Sequence, residues 1–540
     1  MGYEDVIQLM GEFGPYQRRI YFLLCLPAIS SAFHFMAGVF LAARTDFRCL
    51  SPNESIENAT YQLPLNFSNP NYIWDNETKL WPQCQISDDN HASQYYVDDR
   101  GNQSLKINPT MKCRSFVYDK TTYRLTTTSE FNLVCDNAWM RATADSLFMV
   151  GVMIGSIVFG GLSDRFGRKP IYFLAIIVHL TSGILVAVSP EFISYMMFRL
   201  IVAGSVSGLF SIAYVTVVEM VSPKKRLGTV IGIYLSFTSG YIITACFAYF
   251  ITNWRILQIA ITLPSIIFLS YWWLIPESVR WLLTKGRLEE AKDLLQKGAS
   301  VNGVELSRDR LDILLNEFNA ANKPVLEKPG LIDLMRYPNL RRKSLLLFFS
   351  WFVISGTYYG LSWNTSNLGG NDYVNFLISA GVEIPAHVFT FFTLNRLGRR
   401  IVLSGCMLFS GTSLLLTTVV PTDLPWMLVV LAMFGKSSIT ASFGSIYIFT
   451  TEQYPTTIRN VGLGACSTFA RIAGLLVPYI NYLSTIWTPL PLVIFGSGAL
   501  MSGLLILLLP ETLNEKLPET IEDGELFGRK SIQMKKTSSD

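Results

Sequence analysis

Twelve runs of apolar residues, each long enough to cross a bilayer as a helix, recur along this chain with polar joints between them. They lie near residues 20–42, 143–162, 170–189, 192–214, 227–250, 256–275, 344–363, 372–394, 401–420, 425–448, 461–483 and 489–509. About 20 apolar residues in a helix span the hydrocarbon core, and lipid offers backbone groups no partner outside the segment itself. Twelve such runs exclude a soluble protein with buried helices. Composition agrees: of 540 residues, 50% are hydrophobic and only 16% are charged, against about 25% charged in a soluble domain. The net charge of +4 is too small to argue for nucleic acid.

Basic residues set the orientation. Arg18 and Arg19 precede the first run; Arg165, Arg168 and Lys169 follow the second; Lys224, Lys225 and Arg226 follow the fourth. Arg396, Arg399 and Arg400 follow the eighth, and Arg459 the tenth. The connection 276–343 holds thirteen Lys or Arg, whereas the opposite joints are nearly bare. Both termini and that connection are therefore expected in the cytoplasm. Met1 to Tyr16 is acidic and lacks the basic start of a secretory leader, so the first run is expected to be an uncleaved anchor.

Residues 44–142 then form one long extracellular loop. It carries N-x-S/T sequons at Asn53, Asn58, Asn66, Asn76 and Asn102, five expected glycosylation sites on one side. It also carries Cys49, Cys84, Cys113 and Cys135, an even set in an oxidising compartment. Two disulfides are expected, with three possible pairings. Cys25, Cys246, Cys406 and Cys466 lie in apolar runs as packing residues.

The chain also repeats itself. Asp164-Arg165-Phe166-Gly167-Arg168-Lys169 returns 231 residues later as Asn395-Arg396-Leu397-Gly398-Arg399-Arg400. Tyr214, Glu219 and Arg226 return as Tyr447, Glu452 and Arg459, and Pro276-Glu277-Ser278 returns as Pro510-Glu511-Thr512. The expected fold is an all-α membrane protein of twelve transmembrane helices in two pseudo-symmetric six-helix halves. Residues 1–19 are the cytoplasmic N-terminus, 20–275 the first half, and 276–343 a linker with short amphipathic helices. Residues 344–510 are the second half and 511–540 a polar cytoplasmic tail. Parallel repeats of this kind belong to secondary transporters, whose sites lie at the midplane between halves.

These residues carry a resemblance. Gly160-Gly161-Leu162-Ser163-Asp164-Arg165-Phe166-Gly167-Arg168-Lys169 resembles the 2–3 loop signature of the major facilitator superfamily. Pro276-Glu277-Ser278-Val279-Arg280-Trp281-Leu282-Leu283 is similar to the motif after span 6 in sugar porters and organic-ion transporters. With the cysteine-bearing loop and Glu452-Gln453-Tyr454-Pro455-Thr456-Thr457-Ile458-Arg459, the chain resembles solute carrier family 22, the organic cation, carnitine and organic anion transporters. The likeness reaches to about residue 520 and is strongest toward the insect organic cation transporter proteins.

Charges in apolar helices are costly and mark gates or sites. Asp164, Arg165, Arg168, Glu219, Arg226, Glu452 and Arg459 sit at cytoplasmic helix ends and read as a gate that latches and releases. Deeper lie Asp145, Arg199, Glu383, His387, Lys436 and Arg471. Arg471 and Lys436 are the expected contacts for a substrate carboxylate, with Glu383 beside a proline bend. Trp351, Tyr358, Tyr359, Tyr214 and Tyr447 supply aromatic faces on which a cation gains about 2 kcal/mol when desolvated. Trp363, Tyr234 and Tyr241 extend that set.

The resemblance implies that cation-selective members carry an acid at the position of Arg471, while anion and carnitine members carry Arg there and Lys at the position of Lys436. The expectation is a polyspecific carrier of organic cations and carnitine-like zwitterions at the plasma membrane, working by alternating access. An organic anion transporter is the alternative, with a sugar porter or non-transporting receptor behind it. Sodium or a proton is the expected coupling ion. No catalytic, cofactor or metal motif stands out: Gly435-Lys436-Ser437 lacks the first glycine of a phosphate-binding loop, because Val430 occupies that position.

Overall fold

The computed structural model describes residues 7–8, 10–50, 59–62, 83–87, 95–97, 103–105, 110–306, 308, 311–312, 315, 330–421, 424–515 and 517–528. Twelve helices form its body. The first six are α1 (Pro15–Leu41), α2 (Ala138–Phe166), α3 (Arg168–Val188), α4 (Phe192–Met220), α5 (Pro223–Phe250) and α6 (Trp254–Leu274). The second six are α7 (Pro338–Trp363), α8 (Asp372–Leu397), α9 (Arg399–Leu416), α10 (Pro425–Gln453), α11 (Arg459–Tyr482) and α12 (Leu490–Ile506). Eleven are long and apolar enough to cross a membrane, and α12 is an apolar helix of 17 residues. The chain is a multi-pass membrane protein, and each apolar run coincides with one of these helices to within a few residues at its ends.

Local chemistry explains the helix ends. Pro15, Pro223, Pro338 and Pro425 each open a helix, where the missing N–H would have had no partner. The expected bend in α8 is present: the helix breaks between Gly381 and Glu383, just before Pro385. A lipid-facing belt is visible in exposed side chains such as Ile157, Phe250 and Ile193, which water would penalise and hydrocarbon does not.

Each half has a core, and that of the first half runs on into Phe376 and Ala380 of α8. The second is built around Phe449, Tyr454, Met407 and Leu347. The first is built around Met36, Phe148, Trp254 and Ile176. Helices α2 and α4 cross with their backbones almost touching: a Cβ on Gly155 would stand 2.2 Å from the Gly204 carbonyl oxygen. Small residues permit such close crossings in lipid.

The described parts of both terminal segments and of the 276–343 connection gather on one side, the termini side. Asn302 Nδ2 donates to the Met10 carbonyl at 2.8 Å, and Asn339 Nδ2 to that of Glu525 at 2.7 Å. An amphipathic helix, Leu288–Val301, packs there with Trp281 and Leu282, as the linker pattern predicts. The described parts of the long loop lie on the opposite side. They add three antiparallel ribbons to the all-α body: Phe47–Cys49 with Phe116–Tyr118, Gln85–Ser87 with Thr110–Lys112, and Tyr95–Val97 with Gln103–Leu105. Disulfides join Cys49 to Cys113 and Cys84 to Cys135, one of the three possible pairings. The five sequon asparagines fall outside the described residues. Glu130 anchors the loop, accepting from Arg255 Nη2 at 2.6 Å and from Trp254 Nε1 at 2.6 Å.

Candidate functional site

The repeated sequence motifs meet at the termini side of each half. Gly167 turns the chain between α2 and α3 with φ +115, and Gly398 does the same between α8 and α9 with φ +99. A Cβ at Gly167 would lie 2.5 Å from Glu277 Oε2, and one at Gly398 would lie 2.7 Å from Glu511 Oε2. Each carboxylate caps the helix that follows the turn. Glu277 accepts from the backbone N–H of Arg168 at 2.8 Å, and Glu511 from that of Arg399 at 2.9 Å. A negative group at a helix N-terminus meets unpaired N–H donors and the positive end of the dipole. Burial raises the Glu511 pKa, but the backbone N–H groups of Thr512, Leu513, Arg399 and Arg400 outweigh it and hold the carboxyl below its ordinary value.

The arginines of the same turns bind acids in their own half. Arg168 pairs with Asp164 and reaches Glu219 at 3.4 Å, while Ser278 Oγ donates to Glu219 at 2.6 Å. Arg399 Nε donates to Glu452 at 3.1 Å. The sequence spacing suggests Glu452–Arg459 as the pair; the structure gives Glu452 to Arg399 instead, and Arg459 makes no ion pair among the described residues. Arg165 stands apart from this network, over the Phe166 ring.

Between the halves lies a cavity of about 340 Å³. Its walls come from α1, α2, α4 and α5 on one side and α7, α8, α10 and α11 on the other. Aromatic rings dominate. Tyr358 packs against Tyr359 and Phe443 at centroid distances of 5.3 and 5.2 Å, and Phe443 against Tyr447 at 5.8 Å. Across the cavity, Phe35 contacts Phe237 at 6.0 Å and Tyr359 at 6.4 Å. Tyr234 stacks on His387 at 5.6 Å.

Of the expected site residues, Arg471, Tyr358, Tyr359, Tyr447, Tyr214 and Glu383 line this cavity. Two do not. Lys436 is 1% exposed behind the wall. Its Nζ lies 3.1 Å from Glu383 Oε1, 3.6 Å from the Tyr358 ring centroid, and against Ser362 Oγ. The contact with Glu383 is an ion pair rather than an aligned hydrogen bond, since Oε1 has no hydrogen-bond partner. Trp351 is buried behind Tyr447, 4.5 Å between ring centroids, with Nε1 donating to Thr450 Oγ1 at 2.9 Å. Neither is a free substrate contact, because each already has its partners. Phe35, Phe237 and Phe443 line the cavity without having been singled out by sequence. Nothing in a single chain distinguishes them from the many other phenylalanines.

The electrostatics follow. Glu383 and Lys436 cancel, and Glu383 Oε2 also accepts from Thr238 Oγ1 at 2.9 Å. Arg471 is half-buried, donates to Ser467, and has no carboxylate within ion-pair range among the described residues. Its Nε is buried without a partner. The cavity therefore carries one uncompensated positive charge amid aromatic faces.

Hydrogen bonds that join the halves cluster from the cavity to the loop side. Trp363 Nε1 donates to the Phe35 carbonyl at 3.1 Å, Tyr123 OH to Asp372 at 3.2 Å, and Ser146 Oγ to the Leu475 carbonyl at 2.8 Å.

A family model described as Sugar (and other) transporter matches residues 103–523. An organic cation transporter protein of Drosophila melanogaster is 51% identical over 98% of this chain and 96% of its own length. Solute carrier family 22 member 3 of Rattus norvegicus is 34% identical, covering 98% and 97%. Organic cation/carnitine transporter 2 of Homo sapiens is 32% identical, covering 99% and 96%. Among solved structures, the major facilitator superfamily proton:xylose symporter XylE, bound to 6-bromo-6-deoxy-D-glucose, aligns with a TM-score of 0.60. That alignment covers 94% of this chain and 98% of XylE at 15% identity, a likeness of fold alone.

Proposed function

From the premise that this chain belongs to the sugar (and other) transporter family, and within it to solute carrier family 22, we propose that it is a polyspecific secondary transporter of organic cations and carnitine-like zwitterions. It sits in the plasma membrane with the loop side outside and the termini side in the cytoplasm. The names of its relatives, organic cation and organic cation/carnitine transporters, support that substrate class. The observation that carries the zwitterion is the pairing of Arg471, without a carboxylate, with the Tyr358–Tyr359–Phe443–Tyr447 wall. A guanidinium in a desolvated site holds a carboxylate, and aromatic faces hold a quaternary ammonium.

Alternating access follows from walls contributed by both halves. With the halves joined on the loop side, the cavity belongs to a conformer closed to the outside. The ion pairs of Arg168 and Arg399 hold each half's helix ends as rigid units, and the halves rock about the cavity. An organic anion transporter is the second reading, favoured by the net positive charge; only Arg471 supports it, since Lys436 is neutralised by Glu383.

The test is a competition panel in cells expressing the protein: carnitine, tetraethylammonium and an aromatic carboxylate against one radiolabelled tracer, with and without sodium. Competition by carnitine and tetraethylammonium supports the reading. Competition by the aromatic carboxylate alone favours the anion carrier, and absence of uptake sinks both. Loss of uptake without sodium identifies the coupling ion.

A further inference from the structure

Beside the central cavity, toward the loop side, lies a second chamber of about 30 Å³, which shares Phe35 with it. That volume holds one or two water-sized bodies, not an organic ion. Two guanidinium groups and one carboxylate face it: Arg141 and Asp145 from α2, and Arg199 from α4. Arg199 is 5% exposed, its Nη2 stands 3.8 Å from Asp145 Oδ1, and its Nε has no hydrogen-bond partner. Arg141 has no ion pair or hydrogen bond among the described residues. The two guanidinium groups and one carboxylate leave one positive charge without a counter-charge, and a charge withdrawn from water is costly unless something pairs with it. Gly38 completes the chamber: a Cβ there would lie 2.7 Å from Arg199 Nη2.

We propose that this chamber binds a monovalent anion of chloride size between Arg141 and Arg199. Asp145 leaves room for one negative charge and selects against dianions. Trp363 and Ser366 close the chamber from the other half, and Trp363 Nε1 bonds the Phe35 carbonyl of α1. The site is therefore complete only while the halves meet on the loop side. An anion held there binds that conformer better than the separated one and shifts the population toward it. The carboxylate end of a passing substrate offers the same chemistry from a second source.

Thermal unfolding of the purified full-length protein tests this, with chloride replacing gluconate at constant ionic strength, and reads the site whatever the carrier transports. The wild type and Arg471→Gln should both show a saturable rise in midpoint with chloride. In Arg141→Gln the half-saturating chloride should rise at least about tenfold, as for loss of one charge-assisted contact, and Arg141→Lys should recover part of it. Should Arg141→Gln fail to fold, Gly38→Ala, whose methyl displaces Arg199, must weaken chloride likewise. If chloride does nothing but carnitine stabilises, and Arg141→Gln weakens carnitine while leaving tetraethylammonium unchanged, the site stands with substrate carboxylate as its anion. The proposal fails if neither anion acts, if the chloride effect survives both variants unchanged, or if it vanishes in Arg471→Gln.

Discussion

Lys436 Nζ lies 3.1 Å from Glu383 Oε1, and both side chains are 1% exposed, so α8 and α10 share an ion pair with almost no water around it. The pair has three consequences. It withdraws from the cavity a cation that the sequence places there, and it leaves Arg471 as the group that gives the cavity its sign. It also fixes α8 just past its break, where Glu383 begins the second segment.

Breaking a buried pair strands the remaining charge, at a cost of about 3–5 kcal/mol. Glu383→Gln and Lys436→Met should each lower the unfolding midpoint of the purified protein markedly. The double variant should fall by much less than the two together, because no charge is left alone. Additive losses in such a cycle would show that the two side chains do not act as a pair.

The glycine turns should be intolerant for two reasons at once. Alanine at Gly167 or Gly398 takes a positive φ and pushes on Glu277 or Glu511. Left-handed backbone costs an L-residue about 1–2 kcal/mol, and displacing the carboxylate uncaps α3 or α9. Gly167→Ala and Gly398→Ala should reduce stability by more than about 1 kcal/mol each. Glu511 adds a pH signature. Its folded pKa is lowered, so its contribution is present above the ordinary carboxylate value and is lost as pH falls through the folded one. Glu511→Gln should therefore flatten the acid limb of the stability curve, and an unchanged acid limb would count against the cap.

Arg168 ties the end of α2 to α4 through Asp164 and Glu219. Arg168→Ala frees those ends without touching the cavity, so transport should slow while ligand binding is kept. Equilibrium binding and initial uptake on the same preparation separate the two. Loss of binding in a well-folded variant would place Arg168 in the site.

The bridges Cys49–Cys113 and Cys84–Cys135 span 64 and 51 residues. Loop-closure entropy for spans of that length is about 4 kcal/mol each. Replacing either pair with serine should cut surface delivery far more than it alters apparent substrate affinity in the protein that arrives. A shift in affinity at normal surface abundance would mean the loop contributes to recognition.

What could be read in the sequence divides along physical lines. Span length is a local property, so the helices are legible. The repeat placed Gly167 with Gly398 and Glu277 with Glu511, but not the contact between the two motifs, because each Glu lies more than 100 residues from the turn it caps. Lys436 and Arg471 look alike in sequence, both being single cations in apolar helices. Which of them meets a carboxylate depends on how α8 crosses α10. Trp351 and Tyr358, seven residues apart, share a face of α7; only packing shows that Tyr447 and Thr450 cover the tryptophan.

In the proposed function, Arg471 is the residue that sets selectivity. Its guanidinium lines the cavity beside Ser467, and the acid that might have neutralised it, Glu383, belongs to Lys436. Arg471→Asp reverses the charge offered to a substrate carboxylate while leaving the aromatic wall in place. Uptake of carnitine and of organic anions should fall, and uptake of tetraethylammonium should hold or rise. A charge-assisted hydrogen bond is worth about 1.5–3 kcal/mol, or roughly ten- to a hundredfold in affinity. A purely structural arginine would depress every substrate alike and lower expression with it. Comparing one zwitterion, one anion and one cation at equal surface abundance decides between the two, because only a change in their rank order requires Arg471 to touch the substrate.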